Sequence, residues 1–164
     1  MKRILITTIA ALTLFAFSCK KDNQPHDLFI GATLKNTGWL AQPSTSYFAN
    51  QDSLQINGTN TTSNQGVEMH IRFTGIGNYT LRNNQASFSV TLGPIGGDGP
   101  SYRYNLDTTQ TNTLRISSFD VKTNIAKGNF QVHFVRPSLS NAPDGTLSLT
   151  NGSFWIQTPA VPGQ

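Results

Sequence analysis

The stretch "GVEMHIRFTG", residues 66–75, alternates with a period of two. Val67, Met69, Ile71 and Phe73 fall on one side, and Glu68, His70, Arg72 and Thr74 on the other. Successive side chains point to opposite faces only in an extended chain, so the pattern requires a β-strand with one face buried. The same period returns along the chain. It places Leu54 and Ile56 inward in "SLQIN", Phe88, Val90 and Leu92 in "ASFSVTLG", and Tyr102, Tyr104 and Leu106 in "SYRYNLD". It does the same for Leu114 and Ile116 in "NTLRISS", Phe130, Val132 and Phe134 in "NFQVHFV", and Leu147 and Leu149 in "GTLSLT". No stretch after residue 27 sustains a helical period.

Turn signals separate these runs. Asn57-Gly58 and Asn151-Gly152 suit two-residue hairpin loops, in which both central residues need positive φ. Gly93-Pro94, the glycine-rich run 96–100 and the segment 141–145 are further breaks. Short breaks pair sequence neighbours in space. The expected fold is therefore all-β, an antiparallel β-sandwich or flattened β-barrel of about eight to ten strands in mostly meander order. A small recurrence sets registers: "GNYTL" at 77–81, "GNFQV" at 128–132 and "GSFWI" at 152–156. Read as a glycine leaving a turn followed by an inward aromatic and aliphatic residue, it turns Trp155 outward.

The first 27 residues follow different rules. Lys2 and Arg3 precede an apolar run, Ile4 to Phe17, interrupted only by Thr7, Thr8 and Thr13. A bilayer-spanning helix needs roughly 20 apolar residues, so the run fits the core of a cleaved signal peptide instead. "AFSC", with Ser18 before the lone Cys19, resembles the lipobox of bacterial lipoproteins, and the following "KKD" resembles lipoproteins of Bacteroidota. The resemblance implies that Cys19 becomes the first mature residue and carries acyl chains. One acyl chain binds a membrane only marginally, whereas several on one cysteine anchor stably. The domain layout expected is a signal peptide over 1–18, the lipidated Cys19 and a flexible tether over 19–27, a single β-domain over 28–158, and a disordered tail over 159–164.

Composition agrees with that layout. The chain has 164 residues, of which 12% are charged and 37% hydrophobic, enough for one domain. Removing Lys2 and Arg3 from the 12 basic residues leaves 10 against 8 acidic ones, and they are scattered, which argues against nucleic acid as a partner. Across residues 29–157 the chain is similar to an uncharacterised family of small Bacteroidota lipoproteins. The similarity lies in "GATLKNTGWLAQP", "NTLRISSFDVKTNIAKGNFQVHF" and "GTLSLTNGSF". It implies an extracytoplasmic β-domain and supplies no catalytic residues.

Candidate chemistry is sparse. Glycoside hydrolysis needs two carboxylates roughly 5–9 Å apart. Glu68 is the only glutamate, and Asp52, Asp98, Asp107, Asp120 and Asp144 sit in or beside expected turns. His26 falls in the tether, and His70 and His133 are outward strand residues that can neighbour each other across a sheet. Too few ligands accompany them for a closed metal site. "DSL" at 52–54 and "DTT" at 107–109 resemble the O-glycosylation triplet of Bacteroidota, with Ser53 and Thr108 as acceptors. Trp155, Trp39 and Tyr47 are candidates for stacking a sugar or peptide, with Trp39 alternatively plugging one end of the core.

The functional expectation is an outer-membrane lipoprotein, facing the periplasm or the cell surface, with no catalysis, metal or cofactor. Its expected partners are the membrane, through the lipid on Cys19, and a glycan or envelope protein. Two alternatives stay open. One is a lipocalin-like carrier with a cavity lined by Tyr102, Tyr104 and Phe88. The other is an envelope hydrolase using Glu68 or Asp120.

Overall fold

The computed structural model describes residues 27–48, 52–93, 101–138 and 140–160. The signal segment, Cys19, His26, Asp98 and positions 161–164 of the expected tail lie outside the described residues, as does most of the tether. Among the described residues there are ten strands and no helix. They are β1 (Phe29–Leu34), β2 (Thr37–Phe48), β3 (Ser53–Asn60), β4 (Gln65–Arg72) and β5 (Gly77–Thr80), then β6 (Ala86–Thr91), β7 (Ser101–Leu106), β8 (Thr113–Asp120), β9 (Ile125–Val135) and β10 (Thr146–Gln157).

Eight of these close into a ring in the order β10-β1-β2-β3-β4-β6-β7-β9, with β9 pairing back onto β10 and every pairing antiparallel. The fold is thus a barrel, the second of the two expected architectures. The remaining strands, β8 and β5, branch from the barrel wall: β8 pairs with β9, and β5 pairs with β8. Closure leaves the barrel itself without an open edge, and the branch ends on the four-residue β5, too short to template much association.

The weakest part of the ring is where β9 changes partners. Its first seven residues pair with β8, and only Phe134 and Val135 pair with β7. Asn112, 1% exposed, fills the gap between them. Its side-chain amide donates to the carbonyls of Asp107 (2.8 Å) and Gln110 (3.1 Å), and its Oδ1 accepts the His133 amide at 2.7 Å. Its own carbonyl accepts the Leu81 amide at 3.0 Å, which ties in the segment after β5. One side chain therefore supplies the hydrogen bonds that a continuous ladder would otherwise make.

The alternating apolar residues line the interior as expected. Leu54, Ile56, Met69, Phe88, Tyr104, Leu114, Ile116, Val132 and Leu149 are all fully buried. Phe88 lies at the centre, with ring centroids 5.7 Å from Phe134, 6.1 Å from Trp39 and 6.4 Å from Tyr104. Leu92 departs from the expectation: it lies past the end of β6 and is exposed, while Val90 is half-buried.

Two turn assignments also fail. Asn57-Gly58 lies inside β3, where a β-carbon on Gly58 would sit 3.1–3.2 Å from Val67, Ala41 and Ile30. That glycine serves packing between strands, not a turn. Asn151-Gly152 lies inside β10, at a bulge where Asn151 takes φ +51° and pairing shifts between Leu149 and Gly152. The two-residue hairpin is instead Lys35-Asn36, with φ of 49° and 62°. Two further hairpins share a turn built on asparagine. Asn60 accepts from the amides of Thr62 and Ser63, Asp120 accepts from that of Lys122, and Asn64 and Asn124 close the loops at positive φ.

The glycine–aromatic recurrence also has a different meaning from the expected strand start. Gly77 does begin β5, but Gly128 and Gly152 lie within β9 and β10, and each faces the other motif's phenylalanine: Gly128 pairs with Phe154, and Gly152 with Phe130. A β-carbon on Gly128 would come 2.0 Å from the Arg115 carbonyl oxygen and 2.4 Å from the Phe154 ring; one on Gly152 would meet Phe130 at 2.6–2.7 Å. The two strands thus exchange ring-over-glycine contacts, which lets phenylalanines pack flat on the opposing backbone.

Candidate functional site

With the interior filled, the chemistry lies on the outer wall. Glu68 and His70 lie two apart on the outward face of β4, with Arg72 following at the strand's end. Cross-strand pairing puts Asn57 and Ser87 on either side of Glu68, and Gln55 beside His70. Glu68 gathers three donors. Gln55 Nε2 donates to Oε1 at 3.0 Å, His70 Nε2 lies 2.6 Å from the same oxygen, and Arg103 Nη2 stands 3.5 Å from Oε2. Because a carboxylate only accepts, the His70 contact requires the proton on Nε2.

Arg103 belongs to β7, two strands from β4, or roughly 10 Å at sheet spacing. It reaches Glu68 because the intervening β6 sets the small Ser87 and Ser89 between them on its outward face. The small side chains leave a polar depression of about 400 Å³ lined by Ser44, Asn57, Glu68, Ser87, Ser89 and Arg103. A second depression of about 390 Å³ shares Ser87 and Arg103 and adds Asn84 and Asn105. Glu68 and His70 remain about one-third exposed within this surface. Amide, hydroxyl, carboxylate and guanidinium groups thus converge on one open hollow, fixed by mutual hydrogen bonds and rigid strands.

A family described as a domain of unknown function, DUF6252, matches residues 27–156. The chain belongs to this family. No curated protein and no solved structure matches it.

The aromatic candidates of this DUF6252 domain do not assemble. Trp39 is 4% exposed against Phe88, so it is the core plug and not a ligand platform. Tyr47 is half-buried on the core-facing side of β2, its hydroxyl 3.4 Å from Asp52; burial, then the nearby Asp52 charge, pushes its pKa up. Trp155 does face outward, half-buried, but the Lys127 ammonium sits 3.5 Å from its ring centroid and occupies that face.

The other candidates scatter over the barrel. Asp120 ends β8, and its carboxylate accepts the Lys122 amide at 2.9 Å; that bond, with Thr123, holds its pKa below the ordinary value. It lines a separate hollow of about 310 Å³ with Phe119, Lys127 and Trp155, so it does not share a site with Glu68. Asp107 is likewise engaged by the Thr109 hydroxyl (2.6 Å) and amide, which depress its pKa. Thr108 beside it is exposed, and Ser53 is half-buried at the start of β3.

The histidines are not neighbours. His70 lies on β4 and His133 on β9, with β6 and β7 between them along the wall. Neither is merely solvated: His133 Nδ1 lies 2.8 Å from Ser148 Oγ. Among the described residues, no group of three or more His, Cys, Asp or Glu side chains could hold a metal ion.

The Glu68 network is what sequence reasoning missed. A visible signal existed in the outward pair Glu68–His70 and in the outward serines of "ASFSV". Only the pairing of β4 with β6 and of β6 with β7 brings Arg103 to them.

Proposed function

We propose that this protein is a lipid-anchored lipoprotein of the bacterial cell envelope that binds a hydroxyl-rich ligand, of which a glycan is the fitting class, without chemically changing it. The anchor rests on the sequence: a basic start, a short apolar run, and a lone cysteine in a setting that resembles a Bacteroidota lipobox. Outer-membrane placement follows from the same resemblance.

The binding reading is carried by one observation: Glu68 held by Gln55, His70 and Arg103 at the edge of a 400 Å³ polar hollow. A ligand rich in hydroxyls must replace its water contacts with donors and acceptors already fixed in place, and side chains locked by one another lose little freedom on binding. Arg103 and the amides of Asn57 and Asn105 supply groups of both kinds.

The alternatives have less support. A hydrolase of the two-carboxylate type needs a partner for Glu68, and Asp120 serves a turn in another hollow. A carrier needs interior space, and Phe88, Tyr104 and Phe134 fill the barrel with one another's rings. Of the two acceptors for O-glycosylation, exposed Thr108 is the better placed.

The test is a glycan array probed with the full-length protein and with Glu68→Gln, Arg103→Ala and Trp155→Ala. The first two variants are expected to lose binding and the third to keep it. Loss only in Trp155→Ala would move the site to the other flank and refute this reading. Fatty-acid labelling of cells tests the anchor separately, since Cys19→Ala is expected to abolish label uptake.

A further inference from the structure

Strand direction sorts the connections of the barrel into two ends. β1 begins at Phe29, which pairs with Trp155 near the end of β10, and Gln157 pairs with Ile125 at the start of β9. The Thr45 hydroxyl donates to the Gln157 carbonyl at 2.6 Å, which brings the last part of β2 to the same end. Phe48, Ser53 and Arg72 then follow across β2, β3 and β4. The segment 73–76 leaves β4 there, with Phe73 packed edge-on against Phe119 of β8 at 5.3 Å, just before the turn 121–124.

Three large apolar side chains stand exposed at this end, among polar neighbours such as Asp52, Arg72 and Lys122. Ile76 is 64% exposed, Val121 56% and Phe48 44%, three of the six large apolar residues exposed among the described residues. The adjoining flank continues the pattern. Phe29 and Leu40 converge over Gly31, and a β-carbon there would lie 3.6–3.7 Å from both; Phe29 also pairs with Trp155. At the opposite end the turns carry Lys35, Asn36, Thr61, Thr62 and Ser63, and of the large apolar residues exposed among the described residues only Leu92 and Val135 stand there, each at a strand end.

We propose that this apolar end of the barrel rests on the lipid bilayer, with Phe48, Ile76 and Val121 entering the boundary between headgroups and acyl chains. The proposal rests on the reading of Cys19 as an acylated residue. Nine residues, 20–28, separate Cys19 from the first strand. Fully extended they reach about 30 Å, less than the roughly 40 Å spanned by a strand as long as β2. The tether therefore delivers to the membrane the end from which it departs, and that end carries Phe48, Ile76 and Val121, three of the six exposed large apolar residues among the described residues. Isolated apolar side chains are ordinary on a surface, but their gathering at the membrane-proximal end fits an interfacial contact.

Depth-dependent quenching tests this. Cys19 is the only cysteine, so Ile76→Cys, Val121→Cys and Thr62→Cys each place one thiol-reactive, environment-sensitive fluorophore on the full-length acylated protein. The protein is reconstituted in phosphatidylethanolamine–phosphatidylglycerol vesicles with bromine-labelled acyl chains, and Cys19 is examined by mass spectrometry. Probes at positions 76 and 121 are expected to be quenched roughly twofold or more, with no quenching at 62. Acylated Cys19 with equal, weak quenching at all three positions would overturn the seating and leave the anchor standing. Quenching at 76 and 121 without acyl mass would overturn the anchor and support the seating as direct adsorption. Neither acyl mass nor quenching would overturn both.

Discussion

The outer faces of β4 and β10 make an instructive pair. Both strands alternate, β10 with one change of phase at its bulge, and both bury the expected side: Val67, Met69 and Ile71 in one, Phe154 and Ile156 in the other. Their outward residues nonetheless belong to different chemistries. On β4, Glu68 and His70 sit among Gln55, Asn57, Ser87 and Arg103. On β10, Trp155 sits between Phe29 and Lys127, with Leu40 nearby over Gly31. The alternation of a strand settles which side is buried. What the other side can do is decided by the residues that neighbouring strands set beside it.

The comparison breaks most severely where the apolar flank meets the core. Gly128→Ala puts a methyl into the Arg115 carbonyl and the Phe154 ring, and backbone cannot yield as a side-chain tip can. A loss of roughly 3 kcal/mol or more is expected in urea unfolding. Gly66 on the polar flank is less tightly enclosed: Gly66→Ala meets the Ser89 hydroxyl at 3.0 Å and the Gly58 carbonyl oxygen at an ordinary 3.5 Å, and a much smaller loss is expected.

Asn112→Ala comes next. It strips the His133 amide and two carbonyls of their partner at the seam between β7 and β8. A cost of about 2–3 kcal/mol is expected, with faster amide hydrogen exchange at His133 and Leu81. Equal protection in the variant would mean that the seam closes by other means.

Glu68→Gln separates function from stability. Its ion pairs are partly solvated, so the change in stability is expected to stay within about 1 kcal/mol while ligand binding falls. The smallest effect is electrostatic. Asp107 and Asp120 have depressed pKa values in the folded protein, so their stabilising effect is complete above the ordinary carboxyl value of 3.8 and fades as pH falls through the lower folded value. Any stability gap between the wild type and Asp120→Asn at neutral pH is expected to close below pH 3.8 in an acid titration followed by circular dichroism.

Most of the architecture was legible because side-chain parity is a local property. Leu54, Met69, Phe88, Leu114 and Val132 could be assigned to the core from period alone, whereas Leu92, past the end of β6, could not. The misreadings were of residues with two uses. Asn-Gly is the strongest short hairpin signal, yet Gly58 and Gly152 are small for the sake of the strand packed against them. The true hairpin, Lys35-Asn36, carries a lysine at positive φ, which no turn preference points to. The Glu68 site was only half legible. Glu68 and His70 are two residues apart, but Arg103 arrives through pairings that one sequence does not specify. Trp39 and Trp155 look alike in composition, and only register separates a core plug from a surface residue.

Nitrogen–proton correlation spectra of the full-length protein, titrated with envelope oligosaccharides, test the central claim most directly. Saturable shifts are expected in the side-chain amides of Gln55, Asn57 and Asn105, with the Trp155 indole unmoved. Shifts at the Trp155 indole with none at Gln55 or Asn57 would contradict the account and place recognition on the apolar flank.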